Sequence, residues 1–149
     1  MRLTTYTDYA LRTLLHVGTH RDRLVTIQEI ADLHIISKNH LTKVIHQLGL
    51  LGVIDTVRGR NGGLRLARAP AEINIGAVVR FTESDFYMAE CFDPLGTTCG
   101  LRRACGLKKV LVDATAAYLA VLDATTLADL LPEPAPTHVP MLFQPMPGR

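Results

Sequence analysis

The chain has 149 residues, a formal net charge of +2 and 48% hydrophobic residues, enough apolar material for one core of ordinary domain size. No apolar run approaches the roughly eighteen residues that span a bilayer, and the opening Met1-Arg2-Leu3-Thr4-Thr5-Tyr6-Thr7-Asp8 lacks the apolar stretch of a signal peptide, so no membrane partner and a cytoplasmic location are expected. Three cysteines, an odd number, argue against a disulfide framework in that reducing compartment and leave metal binding or redox chemistry open.

Leu3, Tyr6, Tyr9, Ala10, Leu14 and Val17 recur at helical spacing and predict a first helix over roughly 5–19. Asp8 and Arg12 stand four apart on it, spaced to pair across one turn. His16 and His20 share that spacing, which suits zinc; with no Glu at the right place and no third ligand nearby, they are read as surface histidines. Thr26-Ile27-Gln28-Glu29 is a capping box that opens a short second helix carrying Ile27, Ile30, Ala31 and Leu33. After the turn His34-Ile35-Ile36, Ser37 is expected to cap a third helix whose buried stripe is Leu41, Val44, Ile45 and Leu48. The β-branched run Val53-Ile54-Asp55-Thr56-Val57, a turn Arg58-Gly59-Arg60-Asn61-Gly62-Gly63, and the alternating Leu64-Arg65-Leu66 predict a β-hairpin. The fold class is therefore mainly α, a winged helix-turn-helix over 1–81 with the hairpin as its wing.

The helix-turn-helix order fixes which residues would read DNA. The front of the motif's second helix, the third of the chain, enters the major groove; here it carries Ser37, Lys38, Asn39 and His40, with Lys43 a turn on. Asn can bond an adenine edge with both amide atoms, whereas Lys and His reach guanine acceptors or phosphates. Arg58, Arg60 and Asn61 at the wing tip suit the narrow minor groove of A·T tracts. Over 35–71 six cations (Lys38, Lys43, Arg58, Arg60, Arg65 and Arg68) face one acid, Asp55, which fits a polyanionic partner. Each element alone has a plainer reading: an exposed helix face, a solvated basic surface, an ordinary turn. The glycine-rich turn also lacks the Gly-Lys-Ser/Thr ending of a phosphate loop.

A short helix is predicted over 73–81, after which periodicity fails through 82–106, the segment that holds all three cysteines. Cys91, Cys99 and Cys105 are spaced C-x7-C-x5-C, unlike a zinc finger's C-x2-C or a ferredoxin's tight run. Three thiolates can still enclose zinc, copper(I) or an iron–sulfur centre with one position open; three incidental thiols are the alternative. A continuous helix is predicted over 107–131, about 37 Å long, with Leu107, Val110, Leu111, Ala114, Tyr118, Val121, Leu122 and Thr125 on one stripe and further apolar residues beside it. Such a helix must be buried, and pairing with a second copy is the preferred reading. Six of the eight prolines fall in 132–149, a tail expected to be disordered.

Tyr6-Thr7-Asp8-Tyr9-Ala10-Leu11-Arg12, Ser37-Lys38-Asn39-His40-Leu41, Arg58-Gly59-Arg60-Asn61-Gly62-Gly63-Leu64-Arg65-Leu66 and Ile75-Gly76-Ala77-Val78-Val79-Arg80 resemble the Rrf2 family of winged-helix regulators over about 1–131. The likeness is greatest to its nitric-oxide-sensitive repressors. It implies a homodimer on a palindromic double-stranded operator, released when nitric oxide attacks an iron–sulfur cluster, 4Fe-4S rather than 2Fe-2S. It also implies that Cys91, Cys99 and Cys105 hold that cluster, with Asp8 of the other subunit as fourth ligand and Asp8–Arg12 as the pair that re-forms on release. The first cysteine gap is longer than the family's usual one. The iron–sulfur-assembly branch carries a His three residues after the last cysteine, where this chain has Lys108. Two competing functions are a zinc- or thiol-based regulator without iron and a small thiol- or metal-dependent enzyme. The enzyme lacks a Ser-His-Asp order, an HExxH or any evident base beside a cysteine.

Overall fold

The computed structural model describes residues 2–94, 99–100 and 105–132. Helices α1 (Thr5–Thr19), α2 (Ile27–His34) and α3 (Lys38–Leu50) lead into strands β1 (Ile54–Val57) and β2 (Gly63–Leu66), followed by α4 (Ile75–Thr82), α5 (Gly106–Asp123) and α6 (Leu127–Leu130). This is the mainly helical, winged order expected from the sequence. Three of the helices, α1, α2 and α4, start where a short polar side chain takes an orphan backbone N–H. Thr4 accepts from the amide of Thr7 at 3.2 Å, Thr26 from that of Glu29 at 3.1 Å, and Asn74 from that of Ala77 at 2.9 Å.

One core joins these elements. Ala10, Leu14 and Val17 of α1 pack with Ile30, with the α3 stripe Leu41, Val44, Ile45 and Leu48, and with Val78 and Val79 of α4, all buried. The wing pairs antiparallel, Ile54 opposite Leu66 and Val57 opposite Gly63. A third segment completes it: Val25, just before α2, exchanges both backbone hydrogen bonds with Leu64 at 3.0 and 2.8 Å. Val25 and Leu64 are both fully buried, so the base of the wing is fastened to the entry of the helix-turn-helix.

The C-terminal helical region departs from expectation. In place of one helix over 107–131, α5 stops at Asp123 and α6 restarts at Leu127. The break is built from polar contacts. The side-chain amide of Asn74 donates to the carbonyl of Asp123 at 2.7 Å, and Arg80 clasps the Asp123 carboxylate, with NH2 to Oδ2 at 2.7 Å. The N–H and hydroxyl of Thr126 both donate to the Asp129 carboxylate at 2.7 Å, opening α6. Leu127 then enters the core with no exposed surface. Gly76 makes the clasp possible, since a Cβ there would collide with the Asp123 carboxylate. At 18 residues, α5 is about 27 Å long rather than the 37 Å expected. The stripe expected to be buried along it is not buried within the chain: α5 holds no buried residue, and Leu107, Val110 and Val121 are each more than three-fifths exposed. The proline-rich tail from residue 133 onward lies outside the described residues.

Candidate nucleic-acid interface and cysteine segment

Helix α2 ends at His34; its C-cap Ile35 adopts the left-handed conformation (φ 54°, ψ 46°), and residues 35–37 form the turn before α3. That turn sets α3 with its apolar stripe inward and Ser37, Lys38, Asn39, His40 and Lys43 all exposed on its outer side. Ser37 does occupy the N-cap position, but its hydroxyl makes no capping hydrogen bond, contrary to expectation. Thr42 spends its hydroxyl on the Lys38 carbonyl at 2.9 Å. At the wing tip Arg58, Arg60 and Asn61 are exposed, and Gly59 supplies the positive φ (114°) that turns the chain. The lone acid of the basic block, Asp55, sits opposite Arg65 and pairs with it at 3.2 Å. Among the described residues no ion pair involves Lys38, Lys43, Arg58 or Arg60. Of the five cations of the block without an ion pair, all but Arg68 thus lie on the helix front and the wing tip, the two parts that would face a nucleic acid.

Helix α1 braces this surface from behind. The Tyr6 hydroxyl donates to the backbone carbonyl of Lys43 at 2.9 Å, a direct bond between α1 and the exposed helix. On the same helix, Asp8 and Arg12 form a two-pronged pair, Nε to Oδ1 at 3.0 Å and NH2 to Oδ2 at 2.9 Å. Both side chains are more than two-fifths exposed. They line an open groove with Arg2, Leu3, Thr5, Tyr9 and His34. Burial, with smaller contributions from Arg12 and His16, holds the His34 pKa below its ordinary value.

None of the three cysteines is in a disulfide. Cys91 lies in a 3-10 turn, Glu90–Phe92, half-buried; Cys99 is exposed; Cys105 is half-buried at the N-cap of α5. Lys108 ties the two ends of the segment together: its ammonium donates to the Cys91 carbonyl at 2.8 Å and rests 5.6 Å from the centre of the Phe92 ring. Residues 95–98 and 101–104 of the segment lie outside the described residues. Neither the cysteines nor Asp8 fall into any group of three side chains tight enough for a single ion, among the described residues. A cluster, in which each iron takes its own thiolate, needs wider spacing than one ion does. The donor set of three soft thiols on one looped segment fits such a group.

The sequence reading missed one constellation. Glu29, thirteen residues from His16, stands against it, with His16 Nε2 to Glu29 Oε1 at 2.9 Å, and the His16 side chain is only 10% exposed rather than on the surface. Arg23 binds both oxygens of the same carboxylate at 2.9 and 2.6 Å. Hydrogen bonds from Arg23 and then His16 lower the Glu29 pKa to about 2. The Glu29 carboxylate is thereby drawn away from the reciprocal half of the capping box that Thr26 begins.

Comparison with known proteins adds to this geometry. The Rrf2 family, described as iron-dependent transcriptional regulators, matches residues 3–133. Proteins named HTH-type transcriptional regulator NsrR from Bacillus licheniformis and Bacillus subtilis are each 54% identical over 132 residues, covering 88% of this chain and 92% and 90% of theirs. CymR (YrzC), the global cysteine regulator of B. subtilis, superposes with a TM-score of 0.70 at 24% identity, covering 87% of this chain and 95% of that one. IscR of T. potens gives a TM-score of 0.67 at 26% identity, covering 87% and 85%.

Proposed function

The chain belongs to the Rrf2 family of transcription regulators, and from that premise we propose that it is a homodimeric DNA-binding repressor that senses nitric oxide through an iron–sulfur cluster. Its relatives are named as regulators and not as enzymes, and no helix among the described residues is long and apolar enough to cross a membrane. DNA contact falls to Ser37, Lys38, Asn39, His40 and Lys43 in the major groove and to Arg58, Arg60 and Asn61 in the minor groove. Two copies joined along α5 would present these surfaces about one DNA turn, ~34 Å, apart to a palindromic site.

In this reading Cys91, Cys99 and Cys105 hold the cluster, with 4Fe-4S preferred, and Asp8 of the partner subunit completes its ligand set. When bound, the cluster would supply iron reactive toward nitric oxide, and the Asp8 carboxylate, hard among soft thiolates, would be the weakest of the residues that hold it. The chain's own residues do the rest. Asp8 has two alternative partners, the neighbouring subunit's cluster or the Arg12 guanidinium that it grips at 2.9 Å. The change between them acts on α1. The observation that carries the proposal is the 2.9 Å hydrogen bond from Tyr6 to the Lys43 carbonyl: the helix that bears Asp8 is fastened to the helix that would read the bases. Coupling of a few kcal/mol between the two sites is enough to abolish repression.

The test is an anaerobic nitric-oxide titration of cluster-loaded protein, following visible absorbance and binding to a DNA duplex selected from a random pool in the same sample. Cluster signal and DNA affinity should fall together. Loss of the signal at unchanged affinity would falsify the coupling. Protein that is colourless when purified anaerobically would instead favour the zinc- or thiol-based switch.

A further inference from the structure

From the placement of His16, His20 and Glu29 we infer a second metal site, distinct from the cysteine segment, that takes a divalent ion of the zinc(II) type and fastens the end of α1 to the start of α2. One ligand atom from each of the three lies within 4.8 Å of the other two, and each residue is only partly exposed. They come from two elements: His16 from the last turn of α1, His20 from its C-cap, Glu29 from the first turn of α2. Two imidazoles and a carboxylate are a donor set that zinc favours, and three protein ligands leave a fourth tetrahedral position for water.

The hydrogen bonding prepares the donors. His20 Nδ1 lies 2.9 Å from the His16 carbonyl. A carbonyl can only accept, so Nδ1 carries the proton and the lone pair is left on Nε2. This is the outer-shell arrangement that orients metal-bound histidines. The two rings stand 4.4 Å apart, tilted by 41°, held as a pair before any ion arrives. The His16–Glu29 hydrogen bond occupies the line along which an ion would bridge the two, so binding replaces a shared proton with a cation. Arg23 opposes this by its charge. It is 44% exposed and grips both Glu29 oxygens, so it can release Oε1 while keeping Oε2. The ion's work there is to fix the angle at which the helix-turn-helix leaves α1.

The site is independent of the nitric-oxide reading, and its test separates the two. Cobalt(II) serves as a spectroscopic stand-in for zinc(II), added to the full-length protein with its cysteine site loaded. The expected result is one equivalent bound with visible d–d bands and no intense thiolate-to-cobalt charge transfer, and displacement by zinc(II). Zinc(II) should also raise the Tm of the wild type, as any ligand selective for the folded state does. His20→Ala and Glu29→Gln should each weaken cobalt binding by about 100-fold or more, since direct ligands matter at least as much as outer-shell ones, and should abolish the zinc-dependent Tm shift. Glu29→Gln preserves the side chain's shape and the Thr26 cap, so it stands if His20→Ala folds poorly. Wild-type protein that binds no cobalt at micromolar concentration, binds it only with a thiolate signature, or binds it equally well in both variants overturns the inference.

Discussion

The most direct probe of assembly is Val121→Glu on α5. Val121 is 66% exposed in the isolated chain, on a helix that carries Leu107 and Val110 similarly bare. Fully burying a valine-sized side chain is worth about 1.5–3 kcal/mol, so covering the two-thirds left open on Val121 contributes about 1–2 kcal/mol. A two-fold interface meets the residue twice, which makes the apolar loss about 2–4 kcal/mol per dimer. The new carboxylate adds a desolvation cost of the same sign. At about 1.4 kcal/mol per decade, the dimer Kd should rise by about 100-fold or more, while Val121→Ala, which keeps part of the apolar surface, should raise it far less. Sedimentation equilibrium over nanomolar to micromolar concentrations reads both values, with far-UV circular dichroism to confirm folding. A wild type that is monomeric at micromolar concentration, or a glutamate variant that dimerises as tightly as the wild type, would refute the assignment of α5 to the interface.

The DNA surface and the helix-turn-helix corner yield further expectations. Arg60→Ala should weaken DNA binding and reduce the salt slope by about one, whereas Asn39→Ala should relax the preference at one base pair, costing about 1–3 kcal/mol there; gel shifts at several salt concentrations on matched and substituted duplexes distinguish the two. Ile35 is a β-branched residue held at φ 54° and 95% exposed. Because the left-handed conformation costs residues with a Cβ about 1–2 kcal/mol, less for asparagine, Ile35→Asn should stabilise the protein by about 0.5–1 kcal/mol, visible as a higher urea midpoint at unchanged slope. Destabilisation would mean that a partner covers the Ile35 side chain.

Local signals carried most of the fold into the sequence. The stripes of α1 and α3, the Thr26 cap and the glycine-rich wing turn each involve residues within a few positions of one another, and the elements they imply are present. What escaped is non-local. The break after Asp123 is made by Asn74 and Arg80, about fifty and forty-three residues away in sequence, and an apolar periodicity running through 107–131 gives no hint of it. The Thr126–Asp129 pair was the local signal that could have placed the break. Glu29 escaped for a related reason: it was read as half of a capping box, which left no third ligand for His16 and His20. The residues of the proposed nucleic-acid surface are read from the sequence, and what the structure adds is neutralisation, since Asp55 is committed to Arg65 and leaves the helix front and the wing tip charged. The ligand set at the cysteine segment is legible only through family resemblance, because C-x7-C-x5-C alone suits several metals and none.

The clasp at Asp123 turns α5 into a lever. Its fulcrum is the point where Asn74 and Arg80 of the DNA-binding body seize the last residue of the helix. The long arm runs back about 27 Å to Gly106, beside Cys105. A tilt of about 10° at the fulcrum would carry the cysteine end through about 5 Å, by the length of that arm. Read in the other direction, an ångström-scale shift where the thiols lie becomes a rotation of a degree or two where the body is held. Stiffness at this joint, together with the packing of Leu122 on the core and the Lys108 tie to the Cys91 carbonyl, sets how faithfully either end registers the other.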